Sequence, residues 1–234
     1  MDGILNINKP KGITSHDVVL MVRRTIGEKR IGHTGTLDPI ATGILLICIG
    51  RATKLSRSLT NYKKTYIAEM RLGIKTDTQD ATGIVIASCS NYSIDEERIL
   101  KTFSNFTGDI EQIPPMFSAV KYRGERLYKL ARRGIMVERM ARKVHIYSLK
   151  LMSVSHEFIR FEAEVSTGTY IRTLCEQIGD ELGCSGHLSE LQRIKIGDFE
   201  IDDAVPLDGL KMLYRSGRLK EVMHSPYVIS VTKV

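Results

Sequence analysis

The alternation of apolar and polar positions divides the chain into short strands and helices with no internal repeat. Gly3 to Asn8 reads as a strand, ended by Lys9-Pro10-Lys11-Gly12. Thr14 with Asp17 three residues on predicts a helix start, and Val18, Val19, Val22 and Ile26 form the apolar stripe of that helix. The longest apolar run, Gly43 to Gly50 (GILLICIG), fits a buried strand. Ser93 and Glu96 make a capping box for a second helix, with Ile99, Leu100, Phe103 and Phe106 on one face and Gly108 as its stop. A third helix is expected from Thr169 to Leu182, with Ile171, Leu174, Cys175, Ile178 and Leu182 at helical spacing. Further strands are expected at Tyr62–Leu72, Gly83–Ala87, Lys143–Val154, Phe158–Val165 and within His187–Phe199, with a hairpin at Ser155-His156-Glu157. Leu207 to Leu219 has a helical pattern, and Tyr227 to Val234 that of a last strand. Strands joined so unevenly, some by hairpins and some by helices, predict an α+β fold with a mixed, largely antiparallel sheet flanked by helices.

Charge adds a partner to this picture. The chain carries a net +7. Between Lys121 and Lys143 stand nine basic residues (Lys121, Arg123, Arg126, Lys129, Arg132, Arg133, Arg139, Arg142, Lys143) against Glu125 and Glu138, an excess equal to that of the whole chain. Ile113-Pro114-Pro115 breaks the element before it. Gly124 to Arg133 then predicts a short helix, with Leu127, Leu130 and Ala131 on one side and Arg126, Lys129 and Arg133 on the other. Such a face, with Tyr122 and Tyr128 interleaved, suits a polyanion whose bases can be stacked upon.

Other features exclude classes. No apolar run reaches the roughly 18 residues that cross a bilayer, and the N-terminus lacks the charge-then-apolar pattern of a signal peptide, so a cytoplasmic protein without membrane contact is expected. Cys48, Cys89, Cys175 and Cys184 form no C-x-x-C pair. Cys184 and His187 are three apart, but the second pair that would complete a zinc site is missing, and no metal is expected.

The segment Arg30 to Gly43, RIGHTGTLDPIATG, holds Gly32, Gly35 and Gly43 with Thr34, Thr36 and Thr42, the makings of a tight polar loop around one carboxylate, Asp38. No Gly-Lys-Ser/Thr follows, so a phosphate-loop nucleotidase is disfavoured. Taken alone, Asp38-Pro39 has the pattern of a helix N-cap followed by proline at the first helical position.

The stretch Gly32-His33-Thr34-Gly35-Thr36-Leu37-Asp38-Pro39-Ile40-Ala41-Thr42-Gly43 resembles the signature of the TruB family, the bacterial tRNA pseudouridine-55 synthases. The resemblance continues through Lys9-Pro10, Lys64-Thr65-Tyr66, Gly73-x-x-Thr76-Asp77-Thr78 and Gly108 to Pro114. It goes on through Ser118 to Tyr122, Gly168 to Thr173 and Leu191-Gln192-Arg193, covering about Gly3 to Leu207. It implies a pseudouridine-synthase-like fold and isomerisation of the T-loop uridine at tRNA position 55, with the target base flipped out. By resemblance Asp38 is the nucleophile, and Tyr66 stacks on the target base and accepts a proton from the sugar. Tyr170 lies in the uridine pocket, Arg172 pairs with the aspartate, His33 holds the RNA loop open, and Leu191 forms an apolar wall. Lys9, Lys121, Arg123, Arg126, Lys129, Arg132 and Arg133 are expected to contact RNA. Without the resemblance, Tyr66 reads as core, Tyr170 as a helix-start anchor and Arg172 as solvated.

Substrate and product share atoms and oxidation state, so no cofactor is expected. The expected partner is the T-arm of tRNA, bound by a monomer that requires no protein partner. One catalytic domain is expected over 1–207, with a basic insertion at about 113–145 and a tail at 208–234 too short for the PUA domain that relatives usually carry. Binding is therefore expected to lean on the basic insertion. Two other readings remain: the guide-RNA-dependent relatives, which differ around Thr34 and Ile40-Ala41, and an RNA chaperone that unfolds and refolds tRNA without chemistry.

Overall fold

The structure, a computed structural model, describes residues 1–225. Its elements in chain order begin β1 (Gly3–Lys9), α1 (Ser15–Ile26), β2 (Ile31–His33), β3 (Thr42–Ile49), α2 (Ser56–Thr60), β4 (Lys64–Leu72), β5 (Ile74–Thr76) and β6 (Val85–Ser88). They continue with α3 (Glu96–Phe106), β7 (Gly108–Gln112), β8 (Lys121–Tyr122), β9 (Glu125–Arg126), α4 (Leu127–Arg132), β10 (Arg142–Ser155) and β11 (Phe158–Val165). The last are α5 (Ile171–Glu181), β12 (Gly186–Ile196), β13 (Phe199–Glu200), β14 (Val205–Pro206), α6 (Leu210–Arg215) and β15 (Met223–His224). The α+β class and the mixed, largely antiparallel sheet agree with the pattern of the sequence. Among the described residues no helix is long and apolar enough to cross a membrane.

The chain divides into two compact units, residues 1–66 with 191–234, and residues 67–190. In the first unit the strand order is β14-β1-β3-β12. β1 and β3 are antiparallel, from Gly3 opposite Ile49 to Lys9 opposite Gly43, whereas β3 and β12 are parallel, with Gln192 opposite Thr42 and Arg193 opposite Gly43. Side chains alternate across a strand. Leu5, Ile7, Leu45, Ile47 and Ile49 accordingly pack with the α1 stripe, Val18, Val19, Val22 and Ile26. The intervening Ile4, Ile44, Leu46 and Cys48 pack on Leu59, Ile196 and Phe199. Burial on both faces is why GILLICIG shows no alternation.

In the second unit β11, β10 and β7 follow β4 in order, and all pairings of β10 are antiparallel. The hairpin between β10 and β11 turns at His156, whose φ is 34°. Helix α3 differs from expectation in two ways. Its cap is Asp95, whose carboxylate accepts from Arg98 N at 2.8 Å, so Ser93 lies outside it. Leu100 is exposed and Thr102 buried, because the buried face follows Ile99 by three and four residues rather than one. Strand β4 begins two residues after Tyr62, and the helical pattern after Leu207 is realised as α6 and a 3₁₀ turn at Arg218–Val222. The strand expected at Tyr227–Val234 lies outside the described residues.

Candidate active site

In the first unit, β1 turns into α1 at the Thr14 capping box. Thr14 Oγ1 accepts from Asp17 N at 3.1 Å, and Asp17 accepts from Thr14 N at 2.9 Å. This fixes Ser15, which is buried. Its hydroxyl accepts from Leu37 N at 2.8 Å and donates to Leu37 O at 3.1 Å. Gly12 N donates to Pro39 O at 2.8 Å. The loop on either side of Asp38 is thus bonded to the segment that joins β1 to α1.

Asp38 is half-buried and caps no helix. Its carbonyl accepts from Ala41 N at 3.0 Å, closing a turn at Pro39-Ile40, and the chain passes directly into β3. The helix-cap pattern fails because Gly43 to Ile49 pairs with β1 throughout and Thr42 with β12, leaving no room for a helix between. His33 ends β2 opposite Ile47. Leu191 is buried and accepts at its carbonyl from Thr42 Oγ1 at 3.4 Å.

Arg193 is 1% exposed. Its Nε donates to Ile44 O at 2.8 Å and its Nη2 to Gly35 O at 3.2 Å, while its guanidinium lies 6.0 Å from the centroid of the Tyr66 ring. Tyr66 is on the buried face of β4, as the core reading of its alternation foresees.

Lys9, expected among the RNA contacts, is fully buried, and its ammonium donates to Pro10 O at 2.9 Å and Ile13 O at 2.8 Å. Its position in β1, every residue of which pairs with β3, holds it inside and makes it a loop anchor instead. Lys64 is likewise buried, donating to Thr60 O and Tyr62 O. Burial pushes both lysines from the ordinary 10.5 down to about 8. The Arg193 charge contributes to both shifts, and the Asp38 charge partly opposes that of Lys9. Between about pH 8 and 10.5 the unfolded chain therefore binds more protons than the folded one, so these lysines make folding more favourable as pH rises through that window. Denaturation at pH 7.5 and 9.5 is expected to show a smaller rise in stability for a Lys9→Met, Lys64→Met variant than for the parent; equal slopes would contradict the shift.

In the second unit, Arg172 is 3% exposed. It is not the solvated residue that its place off the apolar stripe suggests. Its Nη1 donates to Thr78 O at 3.0 Å, its Nη2 donates to Phe117 O at 2.8 Å, and Asp80 Oδ2 lies 3.8 Å from Nη1. Asp80 also accepts from Thr82 N, Thr82 Oγ1 and Thr78 Oγ1. Tyr170 is the N-cap of α5. Gln112 accepts from Tyr170 N at 2.9 Å and donates to Tyr170 O at 3.3 Å. Asp80, Gln112, Ser15 and Arg193 carry no sequence pattern that marks these roles. Asp80 and Ser15 stand just outside the quoted motifs, whereas Gln112 and Arg193 stand inside them with nothing local to mark their partners.

The basic segment keeps the expected division into apolar and cationic sides, but its helix is shorter than Gly124 to Arg133: Glu125 and Arg126 form β9, and α4 runs only from Leu127 to Arg132. Leu127 and Leu130 of α4 are buried with Met116, while Lys121, Arg123, Arg126, Lys129, Arg132 and Arg133 are all exposed. Arg123 and Gly124, both at positive φ, turn the β8–β9 hairpin. Arg123 lies over the Tyr122 ring and Arg132 over Tyr128, and Arg133 pairs with Glu125 at 2.6 Å. The charge excess is nevertheless not confined to this segment. The first unit holds eighteen Lys and Arg against ten Asp and Glu, and the second sixteen against seventeen. The first unit therefore carries the net positive charge, and the basic segment is a local cationic patch within a second unit that is close to neutral.

Cys184 Sγ donates to the carbonyls of Gly179 and Ser185, and His187 Nδ1 lies 2.9 Å from Ile74 O, so backbone oxygens occupy both members of that pair. Among the described residues no group of three His, Cys, Asp or Glu is arranged to hold a metal ion.

Comparison with known proteins adds three findings. The profile of the TruB family pseudouridylate synthase N-terminal domain matches residues 23–171, and that of the tRNA pseudouridylate synthase B C-terminal domain matches residues 172–226. Proteins named tRNA pseudouridine synthase B from Clostridium kluyveri and Geobacter sulfurreducens are 48% and 46% identical over 210 and 226 residues. These matches cover 90% and 97% of this chain and 72% and 74% of theirs. Among solved structures, the crystal structure of a Cbf5-Nop10-Gar1 complex matches with a TM-score of 0.75 at 27% identity, over 96% of this chain and 60% of that one. An archaeal box H/ACA sRNP Nop10-Cbf5 complex matches with a TM-score of 0.71 at 25% identity, again over 96% and 60%.

Proposed function

The chain belongs to the TruB family of pseudouridylate synthases, and we propose that it isomerises the T-loop uridine at position 55 of tRNA to pseudouridine, with Asp38 as nucleophile. The observation that carries this reading is the Asp38 loop, whose carboxylate-bearing turn is half-exposed while Ser15, Gly12 and Arg193 hold the chain on both sides of it. A carboxylate carried on a backbone so held meets a reacting carbon without the loop first having to be ordered.

The reaction breaks the bond from N1 of the base to C1′ of the sugar and joins C5 to that carbon; the proton on C5 leaves and N1 gains one. The carboxylate either attacks C1′ as N1 leaves and is itself displaced when C5 bonds to C1′, or assists elimination across C1′–C2′, in which case Tyr66 receives the C2′ proton and returns it as C5 bonds to C1′. The role carried over to Arg172 is to keep Asp38 ionised, and Asp80 with the Thr78 and Phe117 carbonyls supports the guanidinium. The target base must be flipped out at a cost of a few kcal/mol, which stacking on Tyr66 and Tyr170 and filling of the vacated space by His33 offset. Leu191 supplies an apolar wall. No cofactor is required, and the enzyme is proposed to act as a monomer in the cytoplasm. The higher identity to proteins named for tRNA than to Cbf5 complexes supports bare tRNA as substrate.

Release of tritium from tRNA labelled at C5 of its uridines tests this reading: about one equivalent per tRNA is expected, and no release would refute it. The exposed α4 face is proposed to grip the RNA backbone. Changing Arg126, Lys129 and Arg133 together to Gln is expected to weaken tRNA binding about 10-fold or more and to reduce the slope of log affinity against log salt by about 2. Unaltered affinity and slope would remove that role.

A further inference from the structure

A buried guanidinium is costly, and this one stands near two buried lysines. Arg193 is almost wholly excluded from solvent, and its charge is felt by both Lys9 and Lys64. Among the described residues its polar partners are backbone carbonyls, and an apolar side chain in its place would avoid the penalty for burying a charge. What an apolar residue cannot do is bridge two carbonyls nine residues apart in sequence. Gly35 precedes Asp38 and Ile44 follows it, so the guanidinium spans the two arms of the loop, with the ring of Tyr66 facing the same group. The planar fork sets the spacing of the two carbonyls, which a lysine, a single point charge on a flexible stem, does not.

We propose that Arg193 is a positioning residue: it clamps the Gly35 and Ile44 arms of the Asp38 loop and seats Tyr66 against the same plane, so that loop and tyrosine keep one mutual geometry. This rests on the function proposed above. The backbone of Arg193 contributes to the same end, since β12 pairs with β3 at Gly43 and carries the clamp at the mouth of the loop.

The test uses the full chain labelled with 3-fluorotyrosine, with the Tyr66 resonance assigned by Tyr66→Phe. Arg193→Lys keeps the charge and loses the fork. It is expected to shift the Tyr66 fluorine resonance and to lower the single-turnover rate of pseudouridine formation about 10²-fold per folded molecule, with tRNA affinity within about twofold of the parent. A merely structural arginine would lower the folded fraction and leave the rate per folded molecule alone. Should Arg193→Lys fail to fold, Arg193→Gln, which retains one donor, carries the same readouts. A parental rate per folded molecule overturns the proposal, as does a Tyr66 resonance that stays in place while the rate falls. If the parent converts no uridine in any tRNA, the proposed function fails instead, and the Tyr66 resonance alone judges the clamp.

Discussion

Replacing Asp38 with Asn is expected to abolish measurable pseudouridine formation, a loss of at least ~10³-fold or about 4 kcal/mol of transition-state stabilisation, while tRNA binding stays within about twofold. The substitution is nearly isosteric. Bonds from Ser15 to Leu37, from Gly12 to Pro39 and from Arg193 to Gly35 and Ile44 hold the loop on both sides of residue 38, and the variant keeps all of them. The backbone of the turn uses Asp38 O, which asparagine keeps. Loop geometry and RNA affinity should therefore survive, and the chemistry alone should fail. Single-turnover product formation beside equilibrium tRNA binding separates the two. An RNA chaperone without chemistry would be unaffected by the change, and product formation within tenfold of the parent would remove Asp38 from its assigned role.

Gly43→Ala is expected to be the most damaging glycine substitution in the first unit, costing about 4 kcal/mol and lowering the melting temperature by on the order of 10 °C. Two causes add. The φ of Gly43 is 98°, outside the range that an alanine adopts readily, and a Cβ there would be driven into the backbone of Arg193. Neither neighbour can yield, because Gly43 is paired with Lys9 on one side and Arg193 on the other. Gly217→Ala is the control: its φ of 75° is also positive, in the left-handed helical region, but a Cβ there meets nothing within 4 Å. It is expected to cost only about 1 kcal/mol. Thermal melts of the two variants should differ clearly. Similar melting temperatures would mean that the approach of β12 to β3 at this position is looser than described.

Much of this arrangement was legible in the chain because it is local. The period of Val18, Val19, Val22 and Ile26, the Thr14–Asp17 box and the unbroken run of β3 each carry their own signature, and each element stands where its pattern puts it. The amphipathic α4, with leucines inward and cations outward, was equally plain. What failed was where two local patterns competed. Asp95 took the cap that Ser93 and Glu96 advertise, and Asp38-Pro39 has the form of a helix start but opens a turn, since strand pairing claims the residues that follow. Lys9 shows the further limit. A lysine near a candidate RNA site looks like a phosphate contact until strand pairing buries it, and only tertiary partners, the Pro10 and Ile13 carbonyls, reveal its task. The supports of Arg172 and Tyr170 were beyond reading for the same reason: Asp80 is 92 residues from one and Gln112 is 58 residues from the other.

The central claim is that this chain makes pseudouridine at one place in tRNA through the carboxylate of residue 38. Nucleotide-resolution mapping of pseudouridine in a full set of unmodified tRNAs, incubated with the parent and with Asp38→Asn in parallel, tests it most directly. A single new site, the T-loop uridine, should appear with the parent and be missing with the variant. Modification elsewhere in the tRNA, or the same site formed by both proteins, would contradict it.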